Sequence, residues 1–289
     1  MESIRVALAQ VEWQGSREAM KAQYRALLTD AAQNGARVIC LPEFSLLPYF
    51  PASTDPAGFA WAEALPGGES EQFFAALARE RRAYVIGSLF EKTPTGGYFD
   101  TATIHDPGGA LIGFTRKVHI PYGDGYNERH FFGGGDAYPI HHLGDLAVAA
   151  PTCYDQWFPE MARICALNGA EFIYYPTAIG SEPTDPTMDT ADAWQTVMRG
   201  HAVANGVFIG AANRVGVESP VTFYGSSFVC DPMGRILAQA GRDSIEVITA
   251  DLDAVLFRHW RDLFPLLHQR LPASYQRLTE TDSRLDSLS

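Results

Sequence analysis

The feature that most constrains the fold of this chain is an internal echo between its two halves. Residues 34–42 are echoed by residues 168–176: in both, an Asn-Gly-Ala turn leads into an apolar run that ends at a proline. The run at 84–87 and the turn at 106–109 return in the same order, about 125 to 135 positions later. Their counterparts lie at 207–210 and 231–234. Each turn type is common by itself, but the shared order favours a repeat over chance. We therefore predict two similar half-domains.

Apolar strands alternate with amphipathic helices along the chain, which is typical of the α/β class. In the first half we predict strands at 4–10, 37–41 and 83–90, helices at 16–34 and 69–82, and a hairpin of 99–105 with 111–116. Two open sheets, each with helices on one face, pack most simply sheet against sheet. We therefore predict a four-layer αββα sandwich of two mixed sheets with pseudo-two-fold internal symmetry, in a single domain over residues 1–289.

Charge and cysteine usage narrow the class of partner. A net charge of −12 disfavours nucleic acid and anionic membrane surfaces, so we expect a small-molecule substrate, no nucleic acid and no membrane. The chain shows no basic-then-apolar leader and no apolar run of about 18 residues. The four cysteines are widely spaced, as is typical of free thiols in a reducing compartment. We expect a cytoplasmic protein.

One cysteine, Cys153, lies where a predicted strand turns into a helix. Residues 147–150 form a short apolar run, and Pro159 suits the first turn of a helix that ends near residue 168. Backbone N–H groups at such a bend can face a negative charge that develops at the thiol. The alternative interpretation is a buried structural cysteine.

Two charged residues also follow predicted strands. Glu43 comes after the strand at 37–41, and Lys117 comes after the strand at 111–116. Either one alone is typical of a solvated loop, but α/β folds place their sites at the carboxyl ends of strands. A thiol, a carboxylate and an ammonium together suit acyl transfer at a carbon–nitrogen bond. The thiolate attacks the carbonyl, the carboxylate moves the proton and the ammonium holds the oxyanion.

Three motifs resemble the signatures of the nitrilase superfamily of carbon–nitrogen hydrolases. They are Leu-Pro-Glu-Phe at 41–44, Arg-Lys-Val-His-Ile-Pro at 116–121 and Thr-Cys-Tyr-Asp at 152–155. The resemblance extends over nearly the whole chain. It implies an αββα fold that commonly dimerises.

The resemblance also implies residue roles. The catalytic triad would be Glu43, Lys117 and Cys153, with Glu128 as a second glutamate that orients the lysine and helps to position the substrate. A lysine between two carboxylates stays charged, which an oxyanion partner requires. The backbone N–H of Tyr154 would be the second oxyanion donor. We expect no cofactor and no metal, because nucleotide-binding glycine motifs and spaced metal-ligand clusters are absent from the sequence.

Further segments resemble the N-carbamoylputrescine amidases of that superfamily; they lie at 155–160, 175–183, 197–202 and 223–225. Relatives that hold a substrate carboxylate near the reacting carbon carry paired arginines where this chain has Gln156 and Trp157. Acidic side chains at Asp124, Asp155 and Glu182 would instead suit a terminal ammonium, with solvated loop carboxylates as the alternative. The substrate-binding residues implied are Tyr154, Asp124, Tyr49, Trp157, Ala178 and Glu182.

The predicted reaction is the hydrolysis of N-carbamoylputrescine to putrescine, carbon dioxide and ammonia, a step of polyamine biosynthesis. The alternatives are an ω-amidase, another N-carbamoyl-amine or N-carbamoyl-amino-acid amidohydrolase, and a catalytically silent scaffold of the same fold. Departures from the subfamily pattern at Tyr154, Pro151 and Gly134 bear on the identity of the substrate. The resemblance further implies that residues 252–289 form a C-terminal extension on a neighbouring subunit of a homodimer or larger homo-oligomer.

Overall fold

A computed structural model describes residues 2–280, which form two β-sheets with α-helices on their outer faces. The strands are, in chain order, β1 (Ile4–Glu12), β2 (Val38–Cys40), β3 (Tyr84–Lys92), β4 (Tyr98–His105), β5 (Leu111–Arg116), β6 (His141–Leu143), β7 (Leu146–Ala149), β8 (Phe172–Pro176), β9 (Phe208–Ala212), β10 (Arg214–Glu218), β11 (Val221–Tyr224), β12 (Phe228–Cys230), β13 (Ile236–Gln239) and β14 (Glu246–Leu252). The α-helices are α1 (Arg17–Gln33), α2 (Glu69–Arg81), α3 (Pro159–Leu167), α4 (Ala191–Asn205) and α5 (Ala254–Leu263).

The ends of α1 follow from local chemistry. The Ser16 side chain accepts the N–H of Ala19 and so satisfies one of the unpaired donors at the start of the helix. The helix gives way at Asn34, and Gly35 follows with a φ of 85°, a left-handed conformation that costs glycine little. Both ends lie where the sequence predicts them.

The two echoed hairpin turns share the same hydrogen bonds. Asp106 Oδ1 accepts the backbone N–H groups of the residues two and four positions further on. Asp231 Oδ1 does the same in the second half of the chain. The side chain thus replaces backbone partners in both turns, and each turn joins two antiparallel strands, β4 to β5 and β12 to β13.

The two sheets repeat one topology. In the first sheet β1, β2 and β3 are parallel, and β4 and β5 follow antiparallel. In the second sheet β7, β8 and β9 are parallel, and β12 and β13 follow antiparallel. Strands β10, β11 and β14 extend the first sheet beside β1, and β6 extends the second beside β7. The predicted internal symmetry is confirmed at the level of strand order.

Three groups of buried side chains define the layers. Between the sheets lies a hydrophobic core to which Leu8 of β1 and Phe172 of β8 contribute. Tyr24 of α1 and Phe74 of α2 pack onto the outer face of the first sheet. Trp194 of α4 packs, with α3, onto the outer face of the second sheet. The order is helix, sheet, sheet, helix, which confirms the predicted four-layer sandwich.

The C-terminal segment begins with a helix that is anchored on the rest of the chain. Helix α5 packs on its own chain: Phe257 lies in the core between the sheets and stacks on Phe208, with ring centroids 6.0 Å apart. Arg261 donates hydrogen bonds to the backbone oxygens of Gly206 and Ala170. Packing of residues 252–289 on a neighbouring subunit stays a prediction, and residues 281–289 lie outside the described part of the chain.

Between residues 2 and 280, the described helices are all too short or too polar to cross a membrane.

Candidate active site

Four of the predicted functional side chains meet at the ends of strands. Glu43 lies in the turn that follows β2, Lys117 follows β5 directly, and Cys153 lies just beyond β7. Glu128 reaches the same place from a 3₁₀ turn at Glu128–His130. Glu43, Lys117 and Glu128 are fully buried and Cys153 is 6% exposed. The carboxyl ends of strands from both sheets therefore converge here.

The ammonium group of Lys117 is surrounded by carboxylates. Its Nζ atom lies 2.8 Å from Glu43 Oε1, 2.5 Å from Glu128 Oε2 and 3.6 Å from Asp100 Oδ2. The Tyr49 hydroxyl donates to the other oxygen of Glu128, 2.9 Å away. Burial disfavours the charge on Lys117, but the Glu128 and Glu43 carboxylates outweigh burial and raise the pKa of Lys117 well above its usual value. Lys117 is therefore a cation with one N–H left for a reacting oxygen.

The carboxyl groups around Lys117 hold a proton more readily than usual, because burial disfavours their charged form. Burial raises the pKa of Glu43 well above its usual range, although Lys117 opposes the shift. Burial also raises the pKa values of Glu128 and Asp100, again against the attraction of Lys117. A carboxyl group with a raised pKa accepts a proton readily, which suits Glu43 to the role of a general base.

The bend at Cys153 lies where the sequence predicts it. A 3₁₀ turn over Cys153–Trp157 forms the bend between the strand and helix α3, which begins at Pro159. Cys153 has a φ of 43°, a left-handed conformation that costs a non-glycine residue about 1–3 kcal/mol. The backbone N–H of Tyr154 has no hydrogen-bond acceptor within residues 2–280. A donor at the bend is thus available to a ligand.

The Cys153 thiol is neutral in the resting site. Its Sγ atom lies 3.8 Å from the carbonyl oxygen of Ala178. Burial raises the pKa of Cys153 well above its usual value, the Glu43 carboxylate adds to the shift, and Lys117 opposes it. Nucleophilic attack by this sulfur would therefore require a base that takes the thiol proton, and Glu43 is a carboxylate that interacts electrostatically with the sulfur.

Asp155 ties the lysine segment to the cysteine bend. Its Oδ1 atom accepts the backbone N–H of His119 at 2.9 Å and the His119 ring nitrogen lies 2.8 Å away. Its Oδ2 atom accepts the N–H groups of Val118 and Thr152. Asp155 is fully buried and does not line the cavity over Cys153. The expectation that Asp155 faces a substrate ammonium is therefore wrong: its oxygens are already occupied by donors from the two catalytic segments.

A cavity of about 520 Å³ opens over Cys153. Pocket volumes in this range hold small-molecule ligands. Among the residues that line it are five of those predicted to bind substrate, namely Tyr154, Asp124, Trp157, Ala178 and Glu182. Tyr49 is not among the lining residues: it is buried behind Glu128, which does line the cavity.

The charged lining of this cavity is acidic. Asp124, Glu128 and Glu182 line it, and no lysine, arginine or histidine does within residues 2–280. Burial raises the pKa of Glu182, and its carboxylate has no hydrogen bond or ion pair with any described residue. The cavity thus joins the Cys153 thiol to the carboxylates of Asp124 and Glu182.

Glu43, Asp100 and Glu128 are also the described residues best grouped to hold a metal ion, with oxygens within 4.8 Å of one another. The ammonium group of Lys117 already lies among these oxygens. The cation of this cluster is the lysine, and the donor set does not call for a metal.

Sequence reasoning overlooked Asp100. This aspartate lies within β4, is fully buried, and accepts a hydrogen bond from the Ser88 hydroxyl at 3.0 Å. An aspartate inside a predicted strand is a signal, because an aspartate that proves to be fully buried is seldom without a partner. The sequence did not reveal that its partners are Lys117 and Glu43.

Comparison with known proteins agrees with this geometry. The family model described as carbon-nitrogen hydrolase matches residues 5–262. The chain belongs to the carbon-nitrogen hydrolase family. Apart from Ile4, the first residue of β1, the match spans the strands of both sheets and the site residues described above. The chain is thus a cysteine-type carbon–nitrogen hydrolase of the nitrilase superfamily.

Individual relatives of this carbon–nitrogen hydrolase are similar over nearly its whole length. A citrullinase from Francisella tularensis is 35% identical, covering 96% of this chain and 99% of that protein. An N-carbamoylputrescine amidase from Solanum lycopersicum is 36% identical, covering 89% of this chain and 88% of that protein. The crystal structure of a carbon-nitrogen hydrolase from Helicobacter pylori G27 has a TM-score of 0.91 and 34% identity, covering 96% of this chain and 99% of that chain.

Proposed function

We propose that this carbon–nitrogen hydrolase acts on N-carbamoylputrescine and yields putrescine, carbon dioxide and ammonia. The observation that carries the proposal is a buried Cys153 beside Glu43 and Lys117, at the base of a cavity whose charged lining is acidic. Similarity to an N-carbamoylputrescine amidase and to a citrullinase supports a ureido substrate, because both names refer to compounds with a ureido group.

The proposed reaction begins with transfer of the thiol proton. Glu43 takes the proton of Cys153, and the sulfur attacks the ureido carbonyl carbon. The oxyanion is held by the third N–H of Lys117 and the N–H of Tyr154; one such donor contributes about 2.7–4 kcal/mol to transition-state stabilisation. Glu43 returns the proton to the departing nitrogen, which leaves a carbamoyl group on the sulfur.

The second half of the reaction uses the same groups. Glu43 activates a water molecule, which attacks the carbamoyl carbon and frees Cys153. Putrescine is the amine that departs in the first half, and the carbamate released in the second half breaks down to carbon dioxide and ammonia. Glu128 and Tyr49 hold the Lys117 ammonium in place throughout, because Glu128 pairs with the ammonium and the Tyr49 hydroxyl fixes Glu128.

The far end of the substrate decides between candidate ureido compounds. The terminal ammonium of N-carbamoylputrescine fits a wall that carries the unpaired carboxylates of Glu182 and Asp124. Citrulline, N-carbamoyl-β-alanine and most ω-amide substrates bring a carboxylate, for which the described lining offers no cation. A partly buried charge without a partner costs free energy, so these substrates are disfavoured.

The test compares substrates and one variant. We expect kcat/KM for N-carbamoylputrescine to exceed the values for citrulline, N-carbamoyl-β-alanine and a simple ω-amide in ammonia-release assays. N-pentylurea, with a methyl group in place of the ammonium, is the matched neutral control. Glu182→Gln should raise KM for N-carbamoylputrescine about tenfold and leave KM for N-pentylurea unchanged, because a charge-assisted hydrogen bond contributes about 1.5–3 kcal/mol. A preference for citrulline, or an equal effect of Glu182→Gln on both ureas, would contradict the ammonium assignment.

The proposal extends to the pathway, the cellular location and the oligomeric state of the protein. A role in polyamine biosynthesis follows from the proposed product. A cytoplasmic location suits the four cysteines, which are all free. A homodimer or larger homo-oligomer suits the exposed apolar side chains after α5, among them Phe264 and Leu271. A catalytically silent scaffold is disfavoured, because such a protein would be expected to lack one of Glu43, Lys117 and Cys153.

A further inference from the structure

Two buried carboxylate oxygens in the site lack a hydrogen-bond donor. Within residues 2–280, neither Glu43 Oε2 nor Asp100 Oδ2 has a hydrogen-bond partner. The other oxygen of each group is satisfied: Glu43 Oε1 accepts from Lys117, and Asp100 Oδ1 accepts from Ser88. A buried polar atom left unpaired is destabilising, and more so when it is charged. Two such atoms in one cluster call for a common explanation.

The two carboxyl groups are close neighbours: an oxygen of each lies within 4.8 Å of the other, and both groups lie within 4 Å of Lys117 Nζ. Two ionised carboxylates can only accept hydrogen bonds, so they would repel each other at this separation. A single proton makes one of them a donor and satisfies both orphan oxygens at once. The Ser88 hydroxyl donates to Asp100 and accepts the backbone N–H of Phe44, which follows Glu43 in the chain. Ser88 therefore links the two segments that carry the pair.

The surrounding charges favour such a proton. Among residues 2–280, Lys117 is the one cation within hydrogen-bonding or ion-pair distance of the side chains of this pair, and it is shared with the Glu128 carboxylate. The side chains of Cys153, Glu128 and Asp155 act on the pair electrostatically, and each adds negative charge when ionised. Arg214 touches only the backbone oxygen of Glu43, at 3.5 Å. Three buried carboxylates against one ammonium leave an excess of negative charge that one bound proton reduces.

We propose that Asp100 is a positioning residue that shares one proton with Glu43 and accepts it fully when Glu43 takes the proton of Cys153. In the resting site one proton lies between Glu43 Oε2 and Asp100 Oδ2. When the sulfur attacks, the thiol proton moves to Glu43 and the shared proton moves to Asp100, so that both carboxyl groups are neutral. When Glu43 protonates the departing nitrogen, the shared proton returns. No proton is gained or lost from solvent in this exchange.

The inference rests on the roles proposed for Glu43 and Cys153, but it does not depend on the identity of the substrate. The experiment is therefore the rate of Cys153 alkylation by iodoacetamide as a function of pH, followed by mass spectrometry, in the wild type and in Asp100→Asn. The asparagine amide donates to Glu43 Oε2 and occupies the same space, but it carries no titratable proton.

The two interpretations of Asp100 predict shifts of opposite sign. When two carboxyl groups share a proton, the pair binds its first proton at a higher pH and its second proton at a lower pH than either group would alone. The pair acts as a base when it binds the second proton, so the wild type keeps a working base down to a low pH. Asp100→Asn abolishes the split, and the acid limb of the alkylation profile should move to higher pH by about one unit or more. If Asp100 were only a nearby ionised group, its removal would lower the pKa of Glu43 and move the acid limb to lower pH. A shift to lower pH, or no shift, would overturn the proposal.

A second measurement requires neither reactivity nor a stable Asp100 variant. The infrared carbonyl band of a protonated carboxyl group should be present in the wild type at neutral pH and absent from Glu43→Gln, since the glutamine amide donates to Asp100 in place of the proton. The matched control is Asp231→Asn, which alters a buried aspartate of the second hairpin whose oxygens accept from Met233 and Arg235. That variant should retain the band. A wild type without the band, or a band that survives in Glu43→Gln, would overturn the shared proton.

Discussion

Replacing Lys117 with methionine tests the charge balance of the site. The side chain is fully buried, and its Nζ atom is the cation that Glu43, Glu128 and Asp100 share. Methionine keeps most of the volume and removes the charge. Removal of one partner from a buried ion pair destabilises a protein by about 3–5 kcal/mol, because the remaining charge is left uncompensated.

The loss of unfolding free energy in Lys117→Met should be smaller at low pH than at high pH. Without the ammonium, the folded-state pKa values of Glu43 and Glu128 rise further above their unfolded values, which are about 4.3. A group with a raised folded-state pKa favours the folded state fully below its unfolded pKa, and the advantage is lost as pH rises through the folded pKa. The variant should therefore be least impaired near pH 4–5 and most impaired near pH 8. One unit of added pKa shift in one glutamate makes the loss about 1.4 kcal/mol larger at pH 8 than near pH 4.

The assay is urea unfolding of wild type and Lys117→Met at pH 5 and pH 8, with the free energy of unfolding as the readout. Lys92→Met is the matched control, because Lys92 ends β3, is exposed, and lies 5.7 Å from the ring centroid of Tyr98. That contact contributes about 0.5–1 kcal/mol and should not change between the two pH values. A loss in Lys117→Met that is equal at both pH values, or no larger than in Lys92→Met, would refute the charge balance.

Two other predictions concern groups that position the site. Tyr49→Phe leaves Glu128 Oε1 without its donor, so it should lower the free energy of unfolding by about 1–3 kcal/mol and reduce kcat. The control is Tyr24→Phe, which removes a hydrogen bond to a neutral backbone oxygen. It should lower the free energy of unfolding by about 1 kcal/mol and leave kcat unchanged. Equal kcat values in the two variants would contradict the role of Tyr49. Asp155→Asn replaces an acceptor of four N–H groups with a donor that faces some of them, so thermal unfolding should show a loss of about 2 kcal/mol or more and kcat should fall with it. A variant with wild-type stability would show that these bonds do not hold the two segments together.

The features that sequence predicted best depend on local chemistry. Ser16 caps its helix, Pro159 begins α3, and the aspartate turns at Asp106 and Asp231 join the strands that they were expected to join. Each of these depends on residues within four positions of one another, so the pattern is visible in the chain. The repeat of such local signals in one order was sufficient to predict two similar sheets.

The grouping of Glu43, Lys117 and Cys153 was predictable for a different reason. Each follows a strand, and strand ends meet at one edge of an α/β sheet whatever the loop sequences are. The motifs around them supplied the chemistry.

The partners of buried polar groups could not be predicted from the chain. Asp155 has the same acidic side chain as Glu182, yet it is enclosed by backbone donors, while Glu182 lines the cavity without a partner. Asp100 and Glu43 are far apart in sequence and meet only because β2, β3 and β4 are neighbours in the first sheet. Burial and partner choice are properties of the packed sheets, so they were available only from the structure.

The most direct test of the account is the turnover of N-carbamoylputrescine by Cys153→Ala beside Cys165→Ala. Both thiols are buried, but only Cys153 lines the cavity, and Cys165 lies on the buried face of α3. The account predicts that ammonia release falls by about 10⁴-fold or more in Cys153→Ala, with the folded state preserved, because no other group can form the covalent intermediate. It predicts near-wild-type turnover in Cys165→Ala. Turnover by Cys153→Ala within tenfold of wild type would contradict the nucleophile and, with it, the proposed reaction.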